Sequence, residues 1–183
     1  DPSLPATIPA GVPKLPAIFR PTEQIRELTR LVLSTSAADM SMPRVGFWGM
    51  PNHSFVNFAI TIVSSYCVGA GMGGIGKTVT GAAIARDEGV RDFFHAIIWL
   101  PLGQTPVISK LQNLCHMQTT GRELSSELSS EEKKEALQQA MAGKRVLLCL
   151  DDLWEEEHEH ELNFADVSAG SKVLISTRMQ RLL

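Results

Sequence analysis

Eight residues, GMGGIGKT from Gly71 to Thr78, satisfy the pattern G-x-x-x-x-G-K-[ST] in full. Gly71, Gly73, Gly74 and Gly76 let the backbone N–H groups of this stretch, Ile75 included, close on a phosphate, because no side chain intrudes and the loop is free to enter positive φ. Lys77 adds a cation suited to β- and γ-phosphates, and the Thr78 hydroxyl is an oxygen ligand of the kind magnesium takes. A helix opening here turns its positive end toward the same phosphates. Further along, RVLLCLDDLW ends an apolar run in two acids. Asp151 is placed to hold a magnesium ion, directly or through water, and Asp152 to orient an attacking water. Two acids that merely end a strand in solvent are the blander reading of the pair, and the upstream loop weighs against it.

These groups need strands that end together and a helix after the loop. RVGFWG (44–49) reads as a short buried strand. KTVTGAAIARDEG reads as a helix stopped by Gly89, somewhat weakened by Gly81. HAIIWLPL (95–102) is a strand. Thr105-Pro106 signals the start of a helix whose Val107, Ile108, Leu111, Leu114 and Cys115 share a face. ELSSELSSE (123–131) is a polar connection, and Ser129 with Glu132 forms a capping box that opens a helix ending at Gly143. RVLLCLDDLW and SKVLISTR have the continuous apolar character of strands buried on both faces of a parallel sheet. Ahead of the loop, Thr22 caps a helix in which Ile25, Leu28 and Val32 share a face. Strand and helix alternate, so the expected fold is α/β, a three-layer αβα arrangement around a parallel sheet of the P-loop NTPase type.

The chain has 183 residues, of which 44% are apolar, enough for one domain with a substantial core. A net charge of -3 argues against a nucleic-acid or anionic-membrane partner. Cys67, Cys115 and Cys149 show no metal-binding spacing and point to reduced thiols in a cytoplasmic compartment. The stretch from Phe55 to Met72 approaches membrane-spanning length, but Asn57, Thr61, Ser64 and Ser65 argue against that use. EEEHEHE (155–161) places His158 and His160 among carboxylates without the H-E-x-x-H spacing of a metal site, so a solvated loop is expected. Six of the ten prolines fall in the first 21 residues, which predicts a linker over 1–17 and folded structure over 18–183. The chain starts without Met and stops just past a strand, the expectation for a piece of something longer.

GMGGIGKT, FFHAIIWLPLGQTP, GKRVLLCLDDLW and GSKVLISTR, preceded by AIFRPTEQIREL, resemble in order and spacing the NB-ARC nucleotide-binding domain. This is the STAND-class P-loop ATPase domain of plant disease-resistance proteins and apoptotic-protease activators. The resemblance covers roughly Ile18 to Leu183. It implies bound ADP at rest, exchange for ATP on activation, a magnesium ion, and at most a slow ATPase whose turnover resets a signalling switch. It implies that Arg178 senses the γ-phosphate, although the triplet here is Ser176-Thr177-Arg178 where the family has two threonines. Ile18 and Arg20 match residues on the adenine side, with Phe19 in place of the family's glycine. The implied partners are the nucleotide, the other domains of a parent protein and its signalling proteins, with oligomerisation of that parent. The family's next strand and later motifs would follow Leu183, so the domain is expected to be incomplete at its C-terminus. A catalytically silent interaction fragment is the alternative.

One segment departs from the family. Removing residues 51–72 yields VGFWGMGGIGKT, an uninterrupted strand and loop, because Gly49-Met50 recurs as Gly71-Met72. The 51–72 segment reads as translated non-coding sequence, as a surface excursion that costs only a few kcal/mol in loop closure, or as a source of a replacement strand, FAITIV or SSYCV, that displaces RVGFW.

Overall fold

Burial is nearly continuous along three of the strands while side-chain direction alternates, and this sets the layers. A computed structural model describes residues 5–34, 43–49, 58–62, 65–70 and 76–178. In β4 (Ala96–Pro101), β5 (Val146–Leu153) and β6 (Lys172–Thr177), one set of side chains, Ile97, Trp99, Leu147, Cys149 and Leu174, enters a core with Leu28, Val32 and Ile84. The opposite set, including Ile98, Leu100, Leu148, Leu150, Val173 and Ile175, enters a second core with Leu111, Cys115, Leu137 and Met141. Period-2 side-chain direction sends consecutive apolar residues to opposite faces, so each face needs a helical layer. Helices α1 (Glu23–Leu33), α2 (Lys77–Arg86) and α3 (Glu88–Phe93) cover the first face, and α4 (Ile108–Thr120) and α5 (Ser130–Met141) the second. The architecture is the α/β sandwich expected of a P-loop NTPase.

With β1 (Pro43–Gly49), β2 (Phe58–Ile62) and β3 (Ser65–Ala70), the strand order is β2-β1-β3-β6-β5-β4, parallel except for β2, which runs antiparallel at the edge. The strand directly before the glycine loop is thus β3, hydrogen-bonded between β1 and β6, while RVGFW lies one position outward. Among the three readings of residues 51–72, this is the arrangement of the replacement strand. Two short strands occupy the apolar stretch considered for a membrane span, and among the described residues no helix is long and apolar enough to cross a membrane.

Helix boundaries follow side-chain capping. Thr22 accepts from the Ile25 N–H at 3.4 Å, and Ser129 and Glu132 make both bonds of the capping box, at 3.2 and 2.8 Å. The helix after the loop does not run to Gly89. It stops at Arg86 because Asp87 leaves helical geometry and caps α3, accepting from the Val90 N–H at 3.1 Å. Thr105-Pro106 likewise does not open α4, which begins at Ile108 behind Val107; Leu111 and Cys115 form its buried face and Val107 is exposed.

Residues 5–17, read as a linker, pack against this layer. Ala6 and Val12 are buried. Arg86 donates to the Pro13 and Val12 carbonyls, both at 2.9 Å, and Arg91 to that of Ala6 at 3.0 Å. Proline limits the conformational freedom such a strap loses on docking, and the two arginines satisfy carbonyls that an irregular chain cannot pair with itself.

β4 is the outer strand on its side of the sheet, and a side chain stands in for the next one. The Trp99 N–H donates to Gln118 Oε1 at 2.7 Å, and Gln118 Nε2 donates to the Trp99 carbonyl at 3.1 Å. The amide thereby closes part of an exposed edge. Gln118→Leu leaves a partly covered donor and acceptor unpaired and is expected to cost about 1–3 kcal/mol. A lower urea midpoint with an unchanged slope is the expected readout.

Candidate functional site

Register brings the chemistry-bearing ends together. Ala70 of β3 lies opposite Thr177 of β6, and Ile175 opposite Leu150 of β5, so three strands reach the same edge. From β3 the chain crosses to the outer strand β4 on one face and returns by α4 and α5 on the other, which opens a crevice at the reversal point of the sheet. Gly76 begins α2 there with φ of 81°, a conformation that glycine adopts without steric cost, and its carbonyl accepts from the Thr80 N–H at 2.7 Å. Gly71, Gly73, Gly74 and Ile75 lie outside the described residues.

Around the start of α2, side chains converge from all three elements. The Thr78 hydroxyl donates to Asp151 Oδ1 at 3.1 Å, and the Ser176 hydroxyl donates to the same oxygen at 2.6 Å. Ser176 Oγ also accepts the Asp152 backbone N–H at 2.8 Å. Thr177 Oγ1 donates to the Leu153 carbonyl at 2.6 Å. These two bonds repair a local break in the ladder. Leu150 pairs with Ile175 but Leu153 with Thr177, so β5 carries one extra residue at this point. Asp152 sits in that bulge with φ of 61°, the one non-glycine residue with positive φ among those described. A bulge re-aims a side chain at the cost of a local kink. Here it sends consecutive acids to different partners: Asp151 to the two hydroxyls, Asp152 to Arg178, whose Nε donates at 2.9 Å. The Arg178 guanidinium also lies 5.7 Å from the centre of the Trp154 ring.

Burial dominates the electrostatics. It pushes the Asp151 carboxyl above the usual carboxylate range; the hydroxyl bonds from Ser176 and Thr78 oppose this, neighbouring Asp152 adds to it, and Lys77 opposes it. Burial also holds the Lys77 ammonium below the usual lysine range, the Arg178 charge acts the same way, and Asp152 and Asp151 pull in the other direction. Two cations and two carboxylates thus share one partly desolvated pocket edge. An uncharged hydroxyl beside a buried carboxylate is a hard-oxygen donor set that suits magnesium and offers nothing to a thiophilic metal.

Ile18 and Arg20 are not brought to this cluster. Both are exposed, and Phe19 between them lines a cavity of about 480 Å³ with Ile25, Ala83, Arg86 and Asp87, at the C-terminal end of α2. His158 and His160 lie on a short helix, α6 (Glu156–His160), in place of the expected loop; its Glu159 is buried. Among the described residues no group of three or more His, Cys, Asp or Glu side chains could hold a metal. Cys115 and Cys149 are buried free thiols, and burial pushes Cys115 up to about 12. The sequence marked Asp151, Asp152, Lys77, Thr78 and Arg178, but it marked Ser176 only as a departure from a motif and missed Trp154. Two hydroxyls closing an otherwise apolar buried strand, KVLIST, are the signal that points to Ser176.

Residues 63–182 match the NB-ARC domain family. The match begins just ahead of β3 and leaves β1 and β2 outside it. The disease resistance protein RGA2 of Solanum bulbocastanum is 32% identical over 116 residues, 61% of this chain, and the disease resistance protein RPM1 of Arabidopsis thaliana is 30% identical over 116 residues, 59% of this chain. The chain spans 12% of the length of each.

Proposed function

Because the chain belongs to the NB-ARC domain family, we propose that it binds ADP or ATP with magnesium as the switch domain of a larger cytoplasmic defence-signalling protein. The observation that carries this reading is the contact of Thr78 with Asp151 across the crevice, at 3.1 Å, from residues 73 apart in sequence. It supports a helix start and an acidic strand end brought together for phosphate and metal, despite the departure at 51–72. Thr78 and Asp151 are the residues that would hold the magnesium, which supplies charge neutralisation at the β- and γ-phosphates. Lys77 binds the phosphates, with backbone N–H groups of Gly71, Gly73, Gly74, Ile75 and Gly76 around them. Asp152 orients a water for slow hydrolysis, and Arg178, paired with Asp152, carries the charge that answers a γ-phosphate. Ile18 and Arg20, which are exposed and stand apart from the Thr78–Asp151 cluster, are assigned to the adenine side on the family resemblance alone. The other domains of the parent protein are the partners on which the switch acts, and oligomerisation belongs to that parent.

Calorimetry with ADP and magnesium tests the reading on the chain and its Lys77→Ala variant. Hydrogen bonds to charged groups contribute about 1.5–3 kcal/mol, so the variant is expected to bind about 10- to 100-fold more weakly. Equal affinity of the two proteins, or no binding by either, would overturn the assignment of the loop.

A further inference from the structure

The hydroxyl of Ser176 stands beside the residues assigned to magnesium, between Asp151 and the backbone of Asp152. Asp151 Oδ1 accepts from both Thr78 and Ser176, and among the described residues none donates to Oδ2. The bond from Ser176 is the shorter of the two, 2.6 against 3.1 Å. Thr78 has a second use, because its oxygen is itself a ligand candidate, so on metal binding its geometry answers to the ion. Ser176 has no such conflict: its one proton goes to Asp151 and its lone pair takes the Asp152 N–H at 2.8 Å. The same hydroxyl thus fixes the rotamer of one acid and the backbone of the next, at the bulge where Asp152 is held at φ of 61°. Partners that orient a metal-binding carboxylate in this way control affinity without touching the ion.

We propose that Ser176 is a positioning residue for magnesium: by donating to Asp151 Oδ1 while accepting from the Asp152 N–H, it fixes the orientation of the carboxylate that would hold the ion and couples that carboxylate to the bulge presenting Asp152. This rests on the nucleotide–magnesium reading above. Only the hydroxyl of Ser176 is used in these two bonds. Ser176→Thr therefore keeps the function and Ser176→Ala loses it.

The test is ADP affinity in excess magnesium and in EDTA, for the chain and for the variants Ser176→Ala, Ser176→Thr and Thr177→Val. The ratio of the two affinities reports the metal, and the EDTA value reports the phosphate loop alone. Ser176→Ala is expected to reduce the magnesium enhancement by about tenfold or more, the range for loss of an outer partner of a metal ligand, with the EDTA affinity unchanged within about twofold on the same argument. Ser176→Thr restores the enhancement. Thr177→Val removes the bond to the Leu153 carbonyl, so it lowers the melting temperature but keeps the enhancement, which separates damage to the bulge from loss of the Asp151 contact. An enhancement in Ser176→Ala equal to that of the unmodified chain, or an equal loss in EDTA, would overturn the proposal. Absence of ADP binding by the unmodified chain in both conditions would instead sink the nucleotide reading on which it stands.

Discussion

Trp99→Ala is expected to lower folding stability by about 3–5 kcal/mol, the range for emptying a large aromatic site. The side chain is buried and stands where three parts of the molecule meet. Its ring lies 3.1 Å from where a Cβ on Gly81 would be, and 3.7 Å from the same point on Gly11. Glycine at 81 thus lets α2 approach the sheet closely, despite the local cost of glycine in a helix. Little could move in to fill the space, because Ala82, Ala83 and Ala85 leave the neighbouring positions of α2 short. Domains of this kind hold about 5–15 kcal/mol in total, so the variant sits near the folding threshold. Chemical denaturation read by circular dichroism checks the value. The site should suffer as well, since Trp99, Gly81, Asp151 and Ser176 line one small void beneath it. A loss below about 0.5 kcal/mol, the range of a surface substitution, would show that Trp99 does not anchor the helix.

Asp151→Asn is expected to separate stability from function. The substitution keeps the shape and the acceptor for Ser176 and Thr78 but removes the charge. Magnesium-dependent ADP binding should fall by about 100-fold, at least the upper range for loss of an indirect partner, while binding in EDTA changes little. The nucleotide-free variant should nevertheless melt higher than the unmodified chain at pH 7. Burial raises the Asp151 pKa in the folded protein above its unfolded value. A group of that kind binds its proton more tightly when folded, so its contribution is fully present below the unfolded pKa and is lost as pH rises through the folded one. At neutral pH the ionised carboxylate therefore destabilises the empty site, and Asn does not. The melting difference should shrink as pH falls through that window. A variant that melts lower at pH 7, with the gap closing in acid, would show that hydroxyl bonds and the Lys77 charge outweigh burial.

The same residue shows how far a sequence reading reaches. That Asp151 lies near the end of a buried strand is legible from the apolar run before it. That its neighbour Asp152 turns to Arg178 is not, because a one-residue bulge leaves no mark in a run with apolar residues on both sides of the sheet. The α2 helix was legible in its start, which glycine and lysine announce, and misread in its end. Asp87 competed successfully with Gly89 because a cap forms wherever a side-chain oxygen first reaches a free N–H. The proline-rich N-terminus has the composition of a linker, and nothing local reveals that Arg86 and Arg91, some 70 to 85 residues away in sequence, take its carbonyls.

Features that depend on near neighbours could thus be read from the chain alone: the start of α2, the caps at Thr22 and Ser129, and the two-faced burial of β4, β5 and β6. They follow from bonds spanning three or four residues and from the period-2 alternation of a strand. Three features required the folded sheet: the placement of β3 before the loop, the bulge at Asp152, and the bond from Ser176 to Asp151. The physical reason is common to all three. Strand position and register in a parallel sheet are set by hydrogen bonds between segments far apart in sequence, and RVGFW and SYCVG are both apolar enough for either of two adjacent places.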